Sequence, residues 1–108
     1  MAATLEARGT SIFDAAKALV SANVEAEPEI VRAYLFPSDR EIRLIYVDPT
    51  TSPLSAGERV APYYFGSNRA EGLQYRAAIA LVRPSEENNS LLPEGWGSWG
   101  DAKTLWEK

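Results

Sequence analysis

Cysteine and histidine are both absent from this sequence, and two large classes of site are excluded with them. Without cysteine there is no disulfide, no thiolate metal site and no cysteine nucleophile. Without histidine the chain lacks the commonest general base and the commonest ligand of transition metals. Only hard oxygen ligands remain, so we expect no zinc site, and no motif for a cofactor is present.

Long apolar runs are also missing. No segment has the length and hydrophobicity needed to span a bilayer, so we expect no membrane association. The first residues lack a basic stretch followed by an apolar one, which is the pattern of a secretion signal. We therefore expect a cytosolic protein in which residues 1–9 form a flexible tail.

Positive charge is scarce, and the net charge is −4. The balance is uneven: residues 1–29 and residues 84–108 are each −3, whereas residues 30–83 are +2. A nucleic-acid-binding domain normally carries a basic excess. Nucleic acid is therefore an improbable partner on charge alone.

The clearest element that is present is a strand at 41–49, reading EIRLIYVDP. Side chains alternate along a strand, so Ile42, Leu44 and Tyr46 share one face, and Ile45 and Val47 share the other. A strand that is apolar on both faces is expected to be covered on both. The length of 108 residues predicts a single domain over 1–108.

The remaining pattern predicts an α+β fold, with an N-terminal amphipathic helix packed on a four-stranded, mostly antiparallel sheet. Thr10 or Ser11 is a suitable helix cap, with Asp14 close to capping-box spacing. The apolar stripe of this helix is predicted to contain Ile12, Phe13, Ala16, Leu19 and Val20. The predicted strands are 30–36, 41–48, 58–65 and 73–83. Pro62 favours an edge position or a bulge for the third of them.

The last segment, 84–108, is predicted to be an irregular C-terminal tail that ends in a short helix capped by Asp101. All the tryptophans, Trp96, Trp99 and Trp106, lie in it. Two interpretations remain open. In the favoured one the tail folds back and the indoles cover one end of the core. In the other, one or two indoles stay exposed as a contact surface, because tryptophan is enriched at interfaces.

Arginines form a second candidate site. Arg32, Arg43 and Arg76 all lie in predicted strands, and together with aromatic side chains they would form a face suited to single-stranded nucleic acid. The alternative, which we favour, is ion pairing across the strands with Glu41 and Glu58. Which applies depends on the strand register.

Enzymatic activity has little support, because no histidine is present to activate the hydroxyl groups. Four carboxylates surround the central strand, but their spacing matches no recognisable motif. They are Asp39, Glu41, Asp48 and Glu58. We therefore predict a small non-catalytic protein-interaction or regulatory module, which acts on an unidentified protein through an edge strand or the tryptophan tail. A nucleic-acid or anion binder that uses the arginine face is the alternative, and a carboxylate-based enzyme is the third hypothesis.

Overall fold

The computed structural model describes residues 11–51 and 75–108. Within these ranges the chain forms one α-helix and four strands. They are α1 (Ile12–Ala26), β1 (Arg32–Phe36), β2 (Glu41–Val47), β3 (Arg76–Val82) and β4 (Lys103–Glu107). Two short 3₁₀ turns, Pro84–Glu86 and Trp99–Asp101, lie between β3 and β4.

The strands form one mixed sheet in the order β3-β2-β1-β4. β1 is antiparallel to β2 and to β4, whereas β2 and β3 are parallel. With a helix packed on a mostly antiparallel sheet, the predicted α+β class is confirmed. β2 and β1 are the two inner strands of this sheet, as the apolar character of β2 requires.

Helix α1 begins where the sequence places a cap. The backbone N–H of Asp14 donates to Ser11 Oγ at 3.0 Å, which satisfies one of the N–H groups that a helix start leaves open. The helix buries Ala16, Leu19 and Val20 against β2 and β4. Phe13 lies at the margin of the apolar stripe and remains 37 % exposed.

Strand β2 is buried on both faces, as its sequence predicts. Ile42, Leu44 and Tyr46 lie in the cluster under α1, and Ile45 and Val47 lie in a second cluster on the opposite face. Burying each large aliphatic side chain stabilises the fold by about 1.5–3 kcal/mol. The sheet is therefore the middle layer of three.

The third layer is formed by residues 84–102, which we call the C-terminal cover. Trp96 in this segment is 5 % exposed and packs with Ile45, Val47 and Phe36. The favoured interpretation of the tail, that it folds back over the core, agrees with this arrangement. The segment covers a face of the sheet, however, whereas the sequence predicts that it covers an end.

The prediction of a short helix at the end of the chain is wrong. Residues Lys103–Glu107 form strand β4 beside β1, and Asp101 closes the preceding 3₁₀ turn by accepting a hydrogen bond from the Ser98 N–H at 3.1 Å. The physical reason is that β1 has an unpaired edge whose backbone groups need partners. Thr104, Leu105 and Trp106 are good strand formers, and they supply those partners.

The other strand predictions differ in their ends or fall outside the described ranges. The strand predicted at 30–36 begins at Arg32, and the one predicted at 41–48 ends at Val47. The one predicted at 73–83 is confirmed as Arg76–Val82, and its first two residues lie outside the described ranges. The strand predicted at 58–65, with Pro62, and the tail predicted at 1–9 also lie outside them.

The central position of β2 yields a stability prediction. Ile45 is fully buried, so Ile45→Ala should lower the free energy of unfolding by about 2–5 kcal/mol in a urea titration. Leu91→Ala is the matched control: Leu91 is 52 % exposed, and its truncation should cost less than about 0.5 kcal/mol. Equal losses for the two variants would show that β2 is not the centre of the core.

Candidate protein-binding surface

Trp96 and Trp99, two of the predicted contact residues, belong to the C-terminal cover, and their rings pack against the sheet. Their ring centroids are 5.3 and 5.6 Å from that of Phe36, and Trp99 also meets Tyr34 edge-on at 5.5 Å. The indole N–H of Trp99 donates to the Ser90 carbonyl at 2.8 Å. Such tilted and edge-on pairs stabilise a core beyond their buried area. Both indoles are thus engaged within the fold.

Arg32 joins β1 to the C-terminal cover and to β4. Its guanidinium donates to Glu87 Oε2 at 2.6 Å and lies 3.4 Å from the Glu107 carboxylate. The Tyr34 hydroxyl donates to the same Glu87 oxygen at 2.6 Å. Burial, followed by the hydrogen bond to Glu87, raises the pKa of the Tyr34 phenol above its usual value. The hydrogen bond to Glu87 likewise raises the pKa of Arg32.

Arg43 and Arg76 lie on the same sheet face as Arg32, because the strand registers place all three on the side of the C-terminal cover. Arg43 donates to Glu41 at 2.8 Å and to the Gly95 carbonyl at 2.8 Å. Arg76 is exposed at the start of β3, directly opposite Glu41. The arginine face therefore exists, but the cover lies on it and two of its arginines hold the cover in place.

Trp106, the third indole, lies on the opposite face, beside α1. A β-bulge shifts the register so that Trp106 pairs with Ala33 while Thr104 pairs with Tyr34, and Leu105 is the extra residue. Both Leu105 and Trp106 consequently pack, partly buried, against the cluster under α1. The structure separates Trp106 from the other two tryptophans.

Two open cavities lie along the side of α1 that faces β4, and we call them together the α1–β4 groove. One, of about 320 Å³, lies beside Ile12, Phe13 and Leu35, and is bordered by Asp101 and Lys103. The other, of about 230 Å³, is lined as follows: Lys17, Val20, Ser21, Val24, Leu105 and Trp106. Apolar side chains thus form most of a surface that residues 11–51 and 75–108 leave open.

Two of the three lysines of the chain, Lys17 and Lys103, line this groove. The ammonium groups of Lys17 and Lys103 lie 5.4 and 4.8 Å from the centre of the Phe13 ring, within the range of a cation–π contact. Lys108 donates to the Pro28 carbonyl at 2.8 Å. Within the described ranges none of the three forms an ion pair. The groove is therefore rimmed by positive charge on a chain whose net charge is −4.

The carboxylates around β2 do not form a recognisable reactive site. Asp48 accepts from the backbone N–H and the hydroxyl of Thr50, Glu41 pairs with Arg43, and Asp39 is exposed in the turn before β2. Glu58 lies outside the described ranges. Over residues 11–51 and 75–108, no three acidic side chains are grouped so that they could hold a metal ion.

Sequence reasoning missed Phe13, Lys17, Lys103 and Leu105 as members of a surface. Phe13 and Lys17 are separated by one helical turn, and that spacing is the only local signal that they share a side of α1. Lys103 reaches the same place only because β4 pairs with β1. A pairing between residues so distant in the chain leaves no mark in either segment.

Comparison of the chain with protein-family models, with curated protein sequences and with solved structures found no match. In the part of the chain that the structure describes, no helix has the length and apolar character needed to cross a membrane.

The environment of Tyr34 predicts a pH dependence. Its pKa is raised in the folded state, so unfolding above about pH 10, the usual phenol pKa, releases a proton. The free energy of unfolding should therefore fall as pH rises through this range, and it should fall less steeply in Tyr34→Phe. Urea titrations at pH 9, 10 and 11 measure the two slopes. Equal slopes would mean that Tyr34 does not retain its proton in the fold.

Proposed function

We propose that this chain is a small cytosolic, non-catalytic protein-interaction module whose contact surface is the α1–β4 groove. The observation that carries the proposal is that Phe13 of α1 and Leu105 and Trp106 of β4 are apolar, are partly exposed and line the two cavities. Open apolar patches of this kind on small domains are typical of sites for other macromolecules. Tryptophan is also the residue type most enriched among the energetic centres of such sites.

The size and open shape of the two cavities support a protein ligand over a small molecule. Pockets for cofactors and metabolites usually measure about 300–1,000 Å³ and enclose most of the ligand surface. Here the two cavities measure about 320 and 230 Å³, at and below the small end of that range, and both are open at the surface. Each has the scale of one or two side chains of a partner, and the polar residues that line them are two lysines, two serines and Asp101.

The alternative of a nucleic-acid or anion binder stays a prediction that the geometry does not favour. Arg32 and Arg43 already donate to Glu87, Glu41 and the Gly95 carbonyl. The aromatic rings that would stack on bases are packed between the sheet and the C-terminal cover. A nucleic acid would have to displace that cover.

Site-specific photo-crosslinking tests the proposal directly. A photoreactive residue at Ser21, which is exposed and lines the groove, should give discrete protein adducts in cells that express the chain. The same residue at Ser85, which is exposed in the first 3₁₀ turn of the C-terminal cover, is the matched control and should give none of them. Denaturing gels and mass spectrometry measure the adducts. Adducts of equal yield from both positions, or from neither, would contradict the assignment of the groove.

A further inference from the structure

We infer that the partner of the α1–β4 groove is an amphipathic helix with acidic residues beside its apolar stripe. This inference rests on the proposed function and adds the chemistry and the shape of the partner. Three observations carry it, namely the space beside α1, the bulge in β4 and the lysines at the rim.

The space beside α1 fits a second helix. Strands lie about 4.8 Å apart, so the four strands span about 14 Å between the first and the last. Packed helices lie about 8–10 Å apart, so one face of such a sheet accommodates two of them. The described residues supply one, and Leu35, Leu105 and Trp106 stay partly exposed beside it. A partner helix would complete this layer.

The bulge in β4 favours a helix over an added strand. β4 is an edge strand among the described strands, and an extended peptide would need to continue its hydrogen-bond ladder. The extra residue at Leu105 interrupts the ladder, and bulges at edges resist strand addition. The two cavities are instead about eight residues of α1 apart, which is about 12 Å. Side chains at i and i+7 or i+8 of a partner helix have the same separation.

The lysines specify the charge of the partner. Lys17 and Lys103 hold their ammonium groups near Phe13 without a carboxylate partner among the described residues. Asp101, the acid at the rim, accepts hydrogen bonds from the backbone N–H and the hydroxyl of Ser98, at 3.1 and 3.3 Å. Carboxylates on a docked helix would supply the missing counter-charges.

A model peptide provides the test. The probe is a labelled 16-residue peptide with leucines at i, i+4, i+7 and i+8 and glutamates on its flanks, and its counterpart carries lysines in place of the glutamates. Fluorescence anisotropy should show the acidic peptide binding about tenfold tighter than the basic one, with the preference falling as salt is added. Far-UV circular dichroism should show additional helix on mixing.

Matched variants locate the binding. Lys17→Gln and Lys103→Gln should each weaken binding of the acidic peptide about twofold to fivefold, the range of an exposed charge pair. Ser85→Asp changes the net charge by the same amount on the C-terminal cover, across the sheet from the groove, and should leave the affinity unchanged.

Three outcomes would overturn the inference. The first is an acidic peptide that binds no tighter than the basic one. The second is a loss of affinity in Ser85→Asp equal to that in Lys103→Gln. The third is a stable dimer in light scattering that Trp106→Ala dissociates, because a second copy of the chain would then fill the groove. If a photoreactive residue at Ser21 still gives discrete protein adducts when one of these outcomes is found, the inference fails but the proposed function holds.

Discussion

The double-sided burial of β2 is the constraint on which the rest of this structure depends. Ile42 and Leu44 on one face and Ile45 and Val47 on the other all have to be removed from water. One helix covers a single face, so a chain of this length must find a second layer elsewhere. The C-terminal cover is that layer, and it is fastened by the Arg32–Glu87 and Arg43–Gly95 contacts.

The need to cover both faces of β2 determines where the tryptophans lie. Trp96 and Trp99 pack on Phe36, so their buried apolar area stabilises the sheet. Trp106 lies in β4, which follows the cover in the chain, and its side chain packs on the other face of the sheet, beside α1. A segment that reads as one aromatic cluster in the sequence is therefore divided between structure and surface.

The features with a local cause were predictable. The alternation in β2, the cap at Ser11 and the α+β class follow from patterns within a few residues. The arginines were expected to share a face if the registers coincided, and they do.

The features that depend on contacts between residues far apart in the chain were not predictable. β4 resembled a capped helix because its partner, β1, lies about seventy residues earlier, and only that pairing makes Leu105 and Trp106 a strand. The groove could not be predicted for the same reason, since Phe13 and Lys103 come together only when β4 pairs with β1. Likewise, nothing near Arg32 in the sequence indicates Glu87 as its partner.

The division of the tryptophans into core and surface is tested most directly by comparing two variants in one urea titration. Trp96→Ala removes a ring that is 5 % exposed and should lower the free energy of unfolding by about 3–5 kcal/mol. Trp106→Ala removes a partly exposed ring and should cost less than half as much. The reverse order, with Trp106 the costlier loss, would contradict the account, because Trp106 would then belong to the core and the groove beside it would not be a free surface.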